Sequence, residues 1–116
     1  MDESNENQQK DGVGKPTIKV KSVSLAQAVD LGEYDPKYLS TFSEWSTLSA
    51  HVQLQYIRAA LDNRRKQLLS QWAEVNNMLD FRLKPQLHTT LKNIEKQLNE
   101  LEDDREEIYA EYSKKF

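Results

Sequence analysis

Residues 87–112, LHTTLKNIEKQLNELEDDREEIYAEY, carry the pattern that decides the fold. Starting from Leu87, apolar side chains recur at intervals of four and three residues, and one interval of seven passes over Arg105. Such spacing puts apolar residues at the a and d positions of a heptad repeat, which is typical of a coiled coil. The predicted seam positions of this helix are Leu91, Ile94, Leu98, Leu101, Ile108 and Tyr112.

The chain upstream repeats the same spacing over residues 54–79. It also misses one position, at Arg64 or Arg65, and no glycine or proline occurs between Trp45 and Leu83. Because glycine and proline are the strongest helix breakers, their absence predicts one long helix over about residues 46–83. The predicted seam positions of this earlier helix are Leu54, Ile57, Leu61, Leu68, Trp72, Val75 and Leu79.

The two seams match when the helices fold back on each other. Pairing Leu79 with Leu91, and the other seam positions outward in the same way, centres the pairs on Lys84 and Pro85. Proline breaks helices, so the centre falls where a turn is expected. The sequence therefore predicts an all-α fold, a long antiparallel two-helix coiled-coil hairpin whose second helix covers about residues 86–114. One continuous helix kinked at Pro85 is the alternative, which the spacing leaves open.

Charge supports the same register. Residues 100–107, ELEDDREE, hold six carboxylates, several of which are like-charge neighbours four residues apart and destabilise an isolated helix. The hairpin would bring this stretch opposite a basic cluster, with each exposed pair worth about 0.2 to 1 kcal/mol. The residues of this predicted charge register are Arg64, Arg65, Lys66, Glu102, Asp103 and Asp104.

Two segments precede the hairpin. Residues 1–23 are predicted to be a disordered tail, because the first fifteen residues contain no Ile, Leu, Phe, Tyr or Trp. Residues 24–45 are predicted to form short helical segments. Ser24 is a suitable N-cap and Gly32 a stop signal for the first of them, while Asp35 followed by Pro36 marks the start of the next.

Further large apolar residues lie off the seam. A two-helix hairpin has one seam and buries little surface, so these side chains either are covered by the short N-terminal helices or bind other subunits. We favour the second interpretation and expect Trp45 to be an interface anchor. The candidate partner-interface residues are Phe42, Trp45, Leu48, Val52, Tyr56 and Leu69.

Composition excludes several classes of function. The 116 residues include no cysteine and carry a net charge of −3, which argues against general nucleic-acid binding. No apolar run reaches the roughly 18 to 20 residues of a transmembrane helix, and no secretory signal is evident. No phosphate loop, metal-binding pair or nucleophile motif is present. We therefore predict no catalytic residue, no metal ligand, no cofactor and no small-molecule substrate, and a cytoplasmic or nuclear location.

The predicted function follows from the architecture. The chain resembles the short helical subunits of eukaryotic multi-subunit complexes in build, without sharing a motif with them. We predict a non-catalytic coiled-coil scaffold or adaptor, for example of the vesicle-trafficking or cytoskeletal type, whose partners are other helical subunits or a second copy. The alternative is a nucleic-acid or chromatin-associated helical module that uses Arg58 and the basic residues 64–66.

Overall fold

Helices make up most of the computed structural model, which describes residues 23–78 and 84–116. Within these ranges there is no strand. The predicted tail, apart from Val23, and the predicted seam residue Leu79 lie outside the described residues. The elements in chain order are α1 (Leu25–Asp30), α2 (Pro36–Leu39), a 3-10 helix (Ser43–Thr47), α3 (Ala50–Asn76) and α4 (Pro85–Ser113).

Local capping explains the two short helices. Ser24 and Gln27 form a capping box at α1, in which the Gln27 amide donates to the Ser24 hydroxyl at 3.1 Å and the Ser24 amide donates to the Gln27 side chain at 2.8 Å. The Asp35 side chain accepts from the Lys37 amide at 3.0 Å, and Pro36 occupies the first position of α2. These starts agree with the predicted cap residues.

The first long helix is shorter than predicted at both ends. It begins at Ala50 rather than near residue 46, because the Ser49 hydroxyl accepts from the Val52 amide and so caps the helix there. Its last residue is Asn76, and Asn77 has φ −90° and ψ 0°, outside the helical range. Asparagine competes for backbone hydrogen bonds and favours helix ends, which explains a stop before the predicted residue 83.

The second long helix begins at Pro85, close to its predicted start. Lys84 has an extended backbone with φ −121° and ψ 102°, as is usual for a residue that precedes proline. Since Asn77 and Lys84 are both non-helical, a single helix kinked at Pro85 is excluded.

The core lies where α3 packs against α4 and where α1 packs against α3. It takes in most of the predicted seam. The buried seam residues are Ile57, Leu61, Leu68, Leu91, Ile94, Leu101 and Tyr112. The half-buried seam residues are Leu54, Trp72, Val75, Leu98 and Ile108.

Candidate protein-interaction surfaces

The N-terminal layer, defined here as residues 25–47 with α1, α2 and the 3-10 helix, is attached to α3 by polar side chains. Asn63 donates to the Val29 carbonyl at 3.0 Å, and Gln67 donates to the Leu31 carbonyl at 2.9 Å. The last carbonyls of a helix have no partner within it, so these side chains complete the C-terminal end of α1. The layer is therefore positioned by specific hydrogen bonds as well as by apolar packing.

Gly32 allows the chain to pass close to α3. Its φ of +87° lies in the left-handed region, and a Cβ atom there would sit 3.1 Å from the backbone of Arg64. The Nε atom of Arg64 donates to the Gly32 carbonyl at 3.3 Å. Glycine is needed at this position for two reasons, its conformation and the lack of space.

The predicted charge register is not formed in the described part of the chain. Arg64 pairs instead with Glu33 at 3.8 Å, and Asp104 accepts a hydrogen bond of 2.6 Å from the Tyr34 hydroxyl. The segment between α1 and α2 therefore provides the partners that the prediction assigned across the two long helices. The remaining members of the set, Arg65, Lys66, Glu102 and Asp103, are exposed, and Glu102 pairs with Arg105 at 3.3 Å along α4.

The Tyr34 side chain joins the N-terminal layer to α4. Burial raises its pKa well above the ordinary value, and the hydrogen bond to Asp104 and the charge of that carboxylate raise it further, while the Arg64 charge opposes the shift. The neutral phenol is thus the form that this contact favours.

The structure buries Trp45, which the sequence suggested as an exposed interface anchor. Its side chain is 5% exposed and belongs to the core, and its ring lies 6.5 Å from that of Tyr56. The N-terminal layer also holds Phe42, whose ring packs edge-on against Tyr38 at 5.5 Å. Trp45 and Phe42 are therefore covered within the chain instead of being open to other subunits. The predicted interface residues Leu48, Val52 and Tyr56 are half-buried.

Leu69 is the member of the predicted interface that stays open, with 41% of its surface exposed. It belongs to a group of apolar residues that we call the distal surface, made of Leu69, Trp72, Val75 and Met78. Trp72 and Val75 are half-buried, and Met78 is 42% exposed. The hydrogen bonds that α3 donates to the N-terminal layer end at Gln67, so the distal surface begins where that attachment stops.

A groove of about 1170 Å³ lies between the N-terminal layer and α4. We call it the acidic groove. Its apolar and aromatic lining residues are Tyr34, Pro36, Trp45, Leu68, Leu101, Ile108 and Tyr112. Its carboxylates are Glu33, Asp35, Glu100, Asp104, Glu107 and Glu111. Its cations are Lys37, Arg64 and Lys115.

Other kinds of site find little support in the described ranges 23–78 and 84–116. No group of three or more histidine, aspartate or glutamate side chains is arranged there to hold a metal ion. No described helix is long and apolar enough to cross a membrane. Comparison with protein-family models, curated proteins and solved structures finds no match to this chain. The distal surface and the acidic groove are therefore the two candidate functional surfaces of the described chain.

Proposed function

We propose that this protein is a non-catalytic scaffold or adaptor subunit. In this proposal α3 and α4 form an antiparallel coiled-coil hairpin, and the distal surface binds a helix of a partner subunit. The N-terminal layer stabilises the other end of the hairpin. Partner recognition thereby moves from the predicted set around Trp45 to the end of α3.

Two hydrogen bonds support the antiparallel direction. The Tyr112 hydroxyl, near the end of α4, donates to Gln53, near the start of α3, at 2.9 Å. The Trp72 indole, near the end of α3, donates to Glu95, in the first half of α4, at 3.1 Å. Residues early in one helix thus contact residues late in the other, as antiparallel neighbours do.

The exposure of Leu69 and Met78, the two open residues of the distal surface, is the observation that carries the proposed role. Leu69, Trp72 and Val75 follow one another at intervals of three residues, so successive side chains turn by about 60° around α3. The exposed Leu69 thus lies beside Trp72 and Val75, which pack against the core, while Met78 follows the end of α3. Two packed helices bury only one seam, and a third helix laid along this side would cover the apolar area that remains. Burial of an exposed leucine or methionine stabilises a complex by up to about 1.5 to 3 kcal/mol.

Quantitative co-purification with mass spectrometry tests this role. We expect a defined set of proteins to be recovered with the wild-type chain and lost with Leu69→Lys combined with Met78→Lys, because each lysine puts a charge into the apolar contact. The matched control is Ser70→Lys combined with Gln71→Lys, which adds the same charge at two exposed positions of α3. Loss of the same proteins from both double variants, or from neither, would contradict the proposal.

The nucleic-acid alternative has weaker support. Arg64, one of its four basic residues, is engaged by Gly32 and Glu33, although Arg58, Arg65 and Lys66 are exposed. Such binding would weaken steeply with salt.

A further inference from the structure

The carboxylates of the acidic groove form a row along α4. Glu100, Asp104, Glu107 and Glu111 follow at intervals of four, three and four residues, which places them on one face of the helix. At about 1.5 Å of rise per residue, the row is roughly 16 Å long. Glu33, from the segment between α1 and α2, also lines the groove.

The cations of the groove only partly balance this row. Arg64 is paired with Glu33, and the Lys115 ammonium lies 4.7 Å from the centre of the Tyr112 ring. Glu111 has a neighbouring cation in Lys114, at 3.6 Å along the helix. Tyr34 brings a neutral hydroxyl to Asp104 rather than a positive charge.

Like charges three and four residues apart destabilise a helix, so α4 gains stability when cations approach the row. A single ion cannot approach all four carboxylates, because the row is about three helical turns long. A nucleic acid would be repelled by the same charges. An elongated ligand with several cations matches the row. In the apolar lining Trp45, Leu68, Leu101 and Tyr112 are buried and Ile108 is half-buried, so aliphatic contact with such a ligand centres on Ile108.

We propose that the acidic groove binds a basic amphipathic segment of a partner protein. Lysine or arginine side chains of that segment pair with the α4 carboxylates, foremost Glu100 and Glu107, while its aliphatic side chains face the apolar lining. This site is separate from the distal surface and does not depend on it. It gives the protein a second interaction surface of different chemistry, which recognises charge where the distal surface recognises apolar area.

The test measures binding of a labelled synthetic peptide to the full chain by fluorescence anisotropy. The peptide has 16 residues, with lysines at intervals of four and three matched to the row and leucines on the adjoining face. Two further peptides serve as probes, one with the same composition in scrambled order and one with glutamate in place of every lysine. We expect the matched peptide to bind best and the glutamate peptide not to bind.

Two double variants distinguish peptide binding to the groove carboxylates from a general effect of the negative charge of α4. Glu100→Gln with Glu107→Gln removes two carboxylates of the row, and we expect affinity for the matched peptide to fall about fivefold to tenfold. Asp103→Asn with Glu106→Gln removes two exposed carboxylates of α4 that do not line the groove, and a change below about twofold is expected. Circular dichroism of both variants should retain the helical signal, because neutral side chains of similar size replace charged ones.

Equal weakening by the two double variants would overturn the proposal, as would equally tight binding of the scrambled peptide. Self-association of the wild-type chain that Glu100→Gln with Glu107→Gln abolishes would assign the groove to a second copy and would also overturn it. The distal-surface variants should bind the peptide as the wild type does. This result keeps the groove proposal distinguishable from the proposed adaptor role.

Discussion

At the scale of single residues, the connection between α1 and α2 determines how the N-terminal layer sits on the long helices. Gly32 passes the backbone of Arg64, Tyr34 reaches Asp104, and both contacts come from a non-helical segment of five residues, 31–35. The stop signal at Gly32 was predictable from the sequence, whereas its close approach to α3 was not. Helical periodicity describes which residues share a face, and it contains no information about the path of a connecting segment.

Gly32→Ala should destabilise the chain by about 1 to 3 kcal/mol, because a Cβ atom both disfavours the positive φ and meets the Arg64 backbone. Urea denaturation followed by circular dichroism measures the free energy of unfolding. Leu31→Ala is the neighbouring control, since Leu31 is 54% exposed and should change stability by less than about 0.5 kcal/mol. Equal stability of wild type and Gly32→Ala would show that the segment does not adopt this conformation.

Tyr34 should make stability sensitive to alkaline pH. Its pKa is raised in the folded chain, so folding favours the neutral phenol; that contribution is complete below the unfolded pKa of about 10 and is lost as pH rises further. We expect the wild type to lose stability above about pH 10 more steeply than Tyr34→Phe, because the two proteins differ only in this phenol. At pH 7, Tyr34→Phe should cost about 1 kcal/mol for the lost hydrogen bond. If the melting temperatures of the wild type and Tyr34→Phe change with pH in the same way, the contact between Tyr34 and Asp104 is contradicted.

At the scale of elements, both long helices and both short ones were predictable, and the errors lie at helix ends. The heptad spacing and the scarcity of glycine and proline predict the helices, because these signals act within a few residues. The ends of α3 depend on competition between neighbouring caps. Ser49 determines the start although Ser43 and Ser46 are equally suitable by residue type, and the chain there first forms the 3-10 helix.

The relative direction of α3 and α4 gives a prediction at this scale. The chain has no cysteine of its own, so spin labels attach only to the cysteines that are introduced at chosen positions. An antiparallel pair predicts about 20 Å between labels at Gln55 and Ser113 and roughly 40 Å between labels at Gln55 and Gln86. Double electron–electron resonance measures both distances. The reverse order of the two distances would mean a parallel arrangement and would remove the proposed hairpin.

At the scale of the whole molecule, the N-terminal layer divides the long helices into a covered and an uncovered part. The covered part contacts Trp45 of the layer through Tyr56 and carries Asn63 and Gln67, and the uncovered part contains the distal surface. The same layer forms one wall of the acidic groove. A segment that the sequence shows as short and weakly apolar thereby forms part of one candidate surface and leaves the other uncovered.

The isolated chain is expected to self-associate through the distal surface when no partner is present, because exposed apolar area drives association. Sedimentation velocity at increasing concentration should show species larger than a monomer. Leu69→Lys should shift them toward the monomer, while Gln71→Lys should leave them unchanged. A monodisperse wild-type monomer that melts cooperatively would argue strongly against the adaptor role.

The sequence by itself determined the helical class, the approximate helices, the caps at Ser24 and Asp35, and most of the positions that the long helices bury. These features follow from local preferences and from the repeat of apolar residues. Only the tertiary structure decided that Trp45 is buried, that Arg64 and Asp104 bind the segment between α1 and α2, and that a groove lies beside α4. Those contacts join residues 30 to 70 positions apart through a non-repeating segment, and no periodic pattern encodes them.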